Sequence, residues 1–211
     1  MHRLILNSRA WQLSSEDDAA NLLADPANDL VWKYSRRRLE AEAIRDAFLA
    51  VSGTLDRSVG GPHPFPASTT WDYTQHKPFL AVYEDSRRSV YLMTQRIRRH
   101  PFFGIFDGAE TNMSTSFRVT STTPLQALWF LNDPFVHEQA RRFSERVAKE
   151  GSDDASRIER AYVLAFGRPP SSEEKAAGLE YLTKAAASYG ADAWPSYARI
   201  VFRLSEFVYV R

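Results

Sequence analysis

The sequence predicts a mainly α-helical fold: a multi-helix orthogonal bundle with a long irregular segment and a minimal β element near residues 88–94. Three observations carry this expectation. From Thr123 onward, apolar residues recur at spacings of three and four between capping signals, as buried helix faces require. Between residues 54 and 85, Gly60, Gly61, Pro62, Pro64, Pro66 and Pro78 interrupt any helical period. Only Ser89-Val90-Tyr91-Leu92-Met93 sets β-branched and aromatic residues between polar ends as a strand does.

In chain order, Leu4, Ile5, Trp11 and Leu13 mark a first helical segment, closed by the turn signals Asp25-Pro26 and Asn28-Asp29. A long helix is predicted over residues 30–52. Leu39, Ala43, Ile44, Ala47, Phe48 and Val51 lie on its apolar face, which runs on to Leu55, and Gly53 stops it. Arg36 with Glu40 and Arg38 with Glu42 stand four apart, so the three-arginine run reads as a solvated, ion-paired helix face. In the 54–85 segment, Phe65, Trp71, Tyr73, Phe79 and Tyr83 predict a packed loop. Partners for the short strand are sought around Phe79 to Tyr83 or Phe117 to Thr120.

Pro124 behind the Thr123 cap opens a helix ending at Asn132, with Leu125, Leu128, Trp129 and Leu131 expected inside. Asp133-Pro134 opens the next, with Val136, Ala140, Phe143 and Val147 inward. Residues 152–166 form another helix, with Gly167 past its end. Ser171-Ser172-Glu173-Glu174 is a capping box for a helix reaching Tyr189 and Gly190. Asp192 caps the last helix, whose Trp194, Tyr197, Val201, Leu204 and Val208 form one stripe. There is no internal repeat and no low-complexity tract.

At 211 residues the chain is long enough for one sizeable core, and 44% hydrophobic with 25% charged residues is an ordinary globular composition. It reads as a single domain over residues 1–211, with 54–85 as a long irregular insertion. With 27 basic and 26 acidic residues the net charge is +1, which supplies no overall field for nucleic acid or anionic lipid. No apolar run is long enough to span a membrane. Arginines outnumber lysines 22 to 5, and guanidinium suits bidentate pairing with carboxylate, sulfate or phosphate; GC-rich codon usage and surface ion pairs account for the same excess. The absence of cysteine excludes disulfides, Cys-ligated zinc, iron–sulfur clusters, thiol catalysis and covalent haem, and no cofactor is expected within this chain. The residues after Met1 show no signal-peptide pattern.

The candidate chemistry is sparse. His2, His63, His76, His100 and His137 show no zinc-binding spacing, so no metal site is predicted. Asp72 and His76, four apart beside Tyr73 and near His63, are the weak catalytic candidates, as an orienting carboxylate and a base. No nucleophile elbow or glycine-rich nucleotide loop is present. Arg87, Arg88, Arg96 and Arg98, with Arg99 and Arg118, are candidates for a ligand-binding patch; Glu84, Asp85, Asp107 and Glu110 can equally neutralise it. Arg118, Thr120, Thr122, Thr123 and Gln126 crowd the start of a helix, where they hold either an anion or the loop itself.

An ordered set of segments carries a family resemblance. It comprises HisArgLeuIle with Ser8, ArgArgLeuGluAlaGluAlaIleArgAsp (37–46), GlyGlyPro (60–62), ArgArgSerValTyrLeu (87–92) and PheAsp (106–107). It continues through ThrThrProLeuGlnAlaLeu, LeuAsnAspProPhe, PheGlyArgProPro (166–170) and GluPheValTyrValArg. Together these resemble the C-terminal part of a planctomycete-associated, PSD-type domain of unknown function. The resemblance implies further helices upstream, exported multidomain proteins that often carry a cytochrome-c-like module, an extracytoplasmic setting and an association with complex polysaccharides. It supplies no catalytic residues. On this reading the chain is a fragment of a longer domain. Its partners are upstream helices or domains of the full-length protein, or an anionic polysaccharide, with no nucleic acid and no membrane span. The expected function is a non-catalytic or unassigned module of an exported multidomain protein, interacting with partner domains or an anionic glycan; the alternative is a hydrolase-like enzyme acting on a complex carbohydrate or ester. A cleft gathering His63 or His76, a carboxylate and two arginines would favour the enzyme, and a flat apolar face the interaction module.

Overall fold

A computed structural model describes residues 1–61, 85–96 and 98–210. The chain divides into two compact units, Met1–Leu39 with the C-terminal end from Val208, and Glu40–Phe207. The smaller unit holds helices α1 (His2–Leu6) and α2 (Ala19–Ala24), and an antiparallel ribbon of β1 (Arg37–Arg38) and β2 (Tyr209–Val210). Arg37 lies opposite Val210 and Arg38 opposite Tyr209, and the Leu39 N–H extends the ladder to the Val208 carbonyl at 2.7 Å. Asp18 caps α2 by accepting the Asn21 N–H.

The first half of the predicted 30–52 helix is therefore absent. Asn28 (φ 61°) and Val31 (φ 54°) turn the chain through left-handed backbone. The Asn28 amide oxygen accepts the N–H groups of Trp32 and Lys33, donors that a helix would have used internally. Arg36 donates to the Ser15 carbonyl, and the arginine run is a turn and strand, not a helix face.

The larger unit begins with α3 (Ala41–Ser52) and continues through α4 (Pro101–Ile105), α5 (Pro124–Asn132), α6 (Pro134–Glu150) and α7 (Asp154–Phe166). It closes with α8 (Ser172–Tyr189), α9 (Ala193–Arg203) and α10 (Ser205–Val208). The capping signals are realised: Thr123 with Gln126 and Ser171 with Glu174 form reciprocal boxes, and Gly167 ends α7 in left-handed backbone (φ 72°). Asp192 occupies the position before α9 without a side-chain cap bond.

Phe48 of α3 is fully buried and meets the rings of Trp129, Phe130, Phe135, Phe202 and Phe207 at centroid separations of 4.8–5.9 Å. α6 buries Val136, Ala140, Phe143 and Val147 as predicted, packing on α3 and α9. The α9 stripe is shorter than expected. Leu204 is extended (ψ 137°) and part-exposed, and this break delivers Phe207 against Phe48 and Phe202, both at 4.9 Å.

The minimal β element exists, but at 37–38 and 209–210 rather than 88–94. Ser89–Tyr91 is a 3-10 turn, with an isolated bridge between Asp56 and Arg87 nearby. Side chains of α3 take the Ser89 N–H and the Arg87 carbonyl, and the Tyr91 and Leu92 N–H groups turn back to the Arg88 and Ser89 carbonyls, which closes a turn instead of extending a strand. Residues 117–120 carry no strand, and the candidate partner at 79–83 lies outside the described residues.

α5 departs most from expectation. Leu125 (64% exposed), Leu128 (51%) and Leu131 (43%) face solvent, while Gln126 and Trp129 face inward. The helix is apolar nearly all round, so its period does not choose a face. Trp129 packs among Phe48, Phe102 and Phe106, and the Gln126 amide donates to the Ile105 carbonyl at 2.9 Å, which decides it. Phe48→Ala is expected to cost about 3–5 kcal/mol in urea unfolding, as for other buried aromatic truncations. Leu125→Ala should stay within about 0.5 kcal/mol, and equal losses at the two positions would refute this division of inside and outside.

Candidate functional site

The polar side of α3 binds the 85–91 run, which in turn binds residues 56–60. The Arg45 guanidinium is buried and donates to the Arg87 carbonyl (3.0 Å), the Ser89 hydroxyl (3.3 Å) and the Asp85 carbonyl. Its neighbour Asp46 accepts both the Ser89 N–H and the Ser89 hydroxyl at 2.7 Å. The Asp85 carboxylate accepts the Arg87 N–H, and the Arg87 guanidinium lies 4.1 Å above the Tyr91 ring while donating to the Gly60 carbonyl. The Tyr91 hydroxyl in turn accepts the Gly60 N–H at 3.1 Å, and the Asp56 N–H donates to the Ser86 carbonyl at 3.0 Å. The run after α3 and the run at 85–91 are thus tied to one another and to the helix.

Burial holds the Arg45 guanidinium below its usual range, with Asp46 and Asp85 acting against it. His100 is buried against Phe103, 5.0 Å between rings, and its Nδ1 has no hydrogen-bond partner among the described residues. Burial first, and the Arg45 charge second, lower its pKa to about 4, so the ring is neutral near pH 7.

The polar run before α5 is a clamp made with carboxylates. Arg118 pairs with Glu42 at 2.5 Å and Glu40 at 3.6 Å in the first turn of α3, and its hydrogen bond to Glu42 raises its pKa. Asp107, in left-handed backbone (φ 59°), accepts the Ser121 N–H at 2.9 Å and its hydroxyl at 2.8 Å. Arg99 donates to the Gly108 carbonyl and lies 3.8 Å from Glu110.

A family model described as PSD1, a protein of unknown function (DUF1553), matches residues 1–182. The chain belongs to this family. The match takes in α3 with its polar partners, the Arg118 clamp and α5, and it ends within α8. No curated protein and no solved structure matches the chain.

Of the candidates nominated from the PSD1 chain's sequence, Arg87 donates to the Gly60 carbonyl and Arg118 pairs with Glu42 of α3, while Arg88, Arg96 and Arg98 are exposed. Arg118 shares a groove of about 370 Å³ with Arg99, Asp107 and Glu110, which the other four nominated arginines do not line. Asp72 and His76, with His63, lie outside the described residues.

Two surfaces escaped the sequence reading. One is the leucine face of α5, whose C-terminal carbonyls are met by Arg203 and the His137 ring. Arg203 approaches the Phe130 and Leu131 carbonyls at 3.4 Å, the His137 Nε2 lies 3.0 Å from the Leu131 carbonyl, and Arg199 lies 3.4 Å from the His137 Nδ1. The other is a cleft of about 540 Å³ between the end of α3 and α6, lined by Arg57, Arg142, Arg146 and Lys149. Its sequence signal was available, since Arg142, Arg146 and Lys149 stand at i, i+4 and i+7 on one helix face.

The His100 environment makes stability pH-dependent. Between about pH 6.5 and pH 4 the unfolded chain binds a proton that the folded chain refuses, so stability falls as pH drops through that window. Urea unfolding at about pH 5 should show a loss of about 1–2 kcal/mol relative to about pH 7 that is missing from His100→Leu. A slope shared by both proteins would mean that His100 is not its source.

Proposed function

We propose that this PSD1 chain is a non-catalytic interaction module, and that the α5 face receives an amphipathic helix of a partner domain. The observation that supports this is the row Leu125, Leu128 and Leu131, exposed on a helix whose opposite side is anchored by Trp129, Gln126 and a capping box. Exposed apolar rows on a rigid element are the anchors of helix-on-helix recognition. The cationic end formed by Arg199 and Arg203 selects the partner's chemistry: apolar residues at helical spacing with carboxylates at one end. Upstream helices or another domain of an exported multidomain protein, in an extracytoplasmic setting, are the partners this reading assigns.

The test places a photoreactive benzophenone amino acid at Leu128 in the full-length protein in its own cell, with Glu180 on exposed α8 as the control position. Cross-linking from position 128 should give one dominant peptide of acidic, leucine-spaced helical pattern, lost when Leu125 and Leu131 are changed to Glu. Cross-links indistinguishable from those of the Glu180 control would contradict the proposal.

A further inference from the structure

We propose that the cleft between the end of α3 and α6 is a binding site for an organic oxyanion, a small molecule or saccharide unit bearing a carboxylate, phosphate or sulfate. The inference is independent of the α5 face and uses none of its residues. Four cations, Arg57, Arg142, Arg146 and Lys149, line the cavity against one carboxylate, Glu145. Glu145 is itself paired with Arg141, which is not among the lining residues, and lies 3.9 Å from Arg142, so Arg57, Arg146 and Lys149 stand in excess of the lining carboxylate.

The cations divide by their commitments. Arg142 pairs with Glu138 at 2.8 Å and Arg146 with Glu150 at 3.0 Å. Arg146 also donates to the Ala50 and Val51 carbonyls, both at 2.9 Å. Those carbonyls are the negative end of α3, and covering them removes the repulsion an anion would otherwise meet there. Arg57 and Lys149 have no ion-pair partner among the described residues and are the charges left for a ligand.

The walls are preformed. The Ser52 and Thr54 hydroxyls both donate to the Gln139 amide oxygen, at 2.6 and 2.8 Å, and join the end of α3 to α6. Arg57 sits in a pinned turn: the Asp56 carboxylate accepts the Ser58 N–H at 2.8 Å and its hydroxyl at 3.1 Å. A volume of about 540 Å³, with Ala50 and Leu55 among the lining residues, is in the range of small-molecule sites and exceeds what a bare inorganic ion fills. Ligand charge would meet Arg57 and Lys149, and the organic body would lie against the apolar wall and the arginine stems.

The experiment is an amide NMR titration of the whole chain with glucose 6-phosphate, glucose 6-sulfate and glucuronate, with glucose and inorganic phosphate as comparisons. At least one anionic sugar should shift amides in residues 52–57 and 142–149, more tightly than inorganic phosphate, while neutral glucose gives no shift and added salt weakens binding. Arg57→Ala/Lys149→Ala should lower the affinity at least about tenfold, a difference of about 1.4 kcal/mol, with an unchanged unfolding midpoint. Lys149→Gln alone should lower it in the same direction, and Lys184→Ala, on α8 away from the cleft, should leave it unchanged. The proposal is overturned if no anionic sugar binds, if shifts fall elsewhere, if the double variant binds as wild type, or if phosphate alone binds as tightly as the best anionic sugar.

Discussion

The larger unit depends on α3 being enclosed on two chemically opposite sides. A helix with one apolar stripe needs only one neighbour, but here Phe48 occupies the centre of a cluster of aromatic rings while Arg45, three residues earlier, is buried among carbonyls. A buried guanidinium is tolerable only when its donors are used and its charge is balanced. Arg45 meets both conditions by drawing in residues 85–89, and Asp46 completes the arrangement by taking the Ser89 N–H and hydroxyl. The same helix supplies Glu42 to Arg118 at its start and the Ala50 and Val51 carbonyls to Arg146 at its end. Each turn of α3 therefore secures a different part of the chain.

This arrangement accounts for the behaviour of the family-like segments. AlaIleArgAsp, GlyGly and ArgArgSerValTyr bond chiefly to one another. Their chemistry goes into holding loops without regular secondary structure, where backbone groups need side-chain partners. The surfaces left over are the leucine row of α5 and the basic cleft beside α6. Both sit on helices held by other internal bonds, Gln126 to the Ile105 carbonyl for α5 and Gln139 and Arg146 to the end of α3 for α6, beside irregular loops.

Much of the helical framework was legible because its signals are local. Thr123 with Gln126, Ser171 with Glu174, Pro134 behind Asp133 and Gly167 each act within one turn, and the α6 stripe separates apolar from charged residues cleanly. What was not legible depends on distant partners. Residues 30–40 have helical spacing, but the pairing of residues 37–38 with 209–210 and the Asn28 turn override it. Ser89–Met93 has strand composition, but Asp46 and Arg45 take its polar groups. α5 offers apolar residues on every side, so periodicity could not say which would meet Phe48. The arginines between 87 and 118 were recognisable as a charge excess, but their sorting into bonded and exposed required knowing that Gly60 and Glu42 stand beside them.

The central claim, that the polar side of α3 makes the 85–91 run part of the folded core, is tested most directly by native-state hydrogen exchange at the Ser89 amide. This N–H is bonded to a carboxylate rather than to a helix or sheet ladder, so its protection reports the Asp46 contact. The account predicts that in the wild-type protein it exchanges only through the global opening that also exposes the Ile44 and Phe48 amides, and that in Asp46→Ala it exchanges far faster than they do. Rapid exchange at Ser89 in the wild type, while α3 stays protected, would show that the run opens on its own and would contradict the claim.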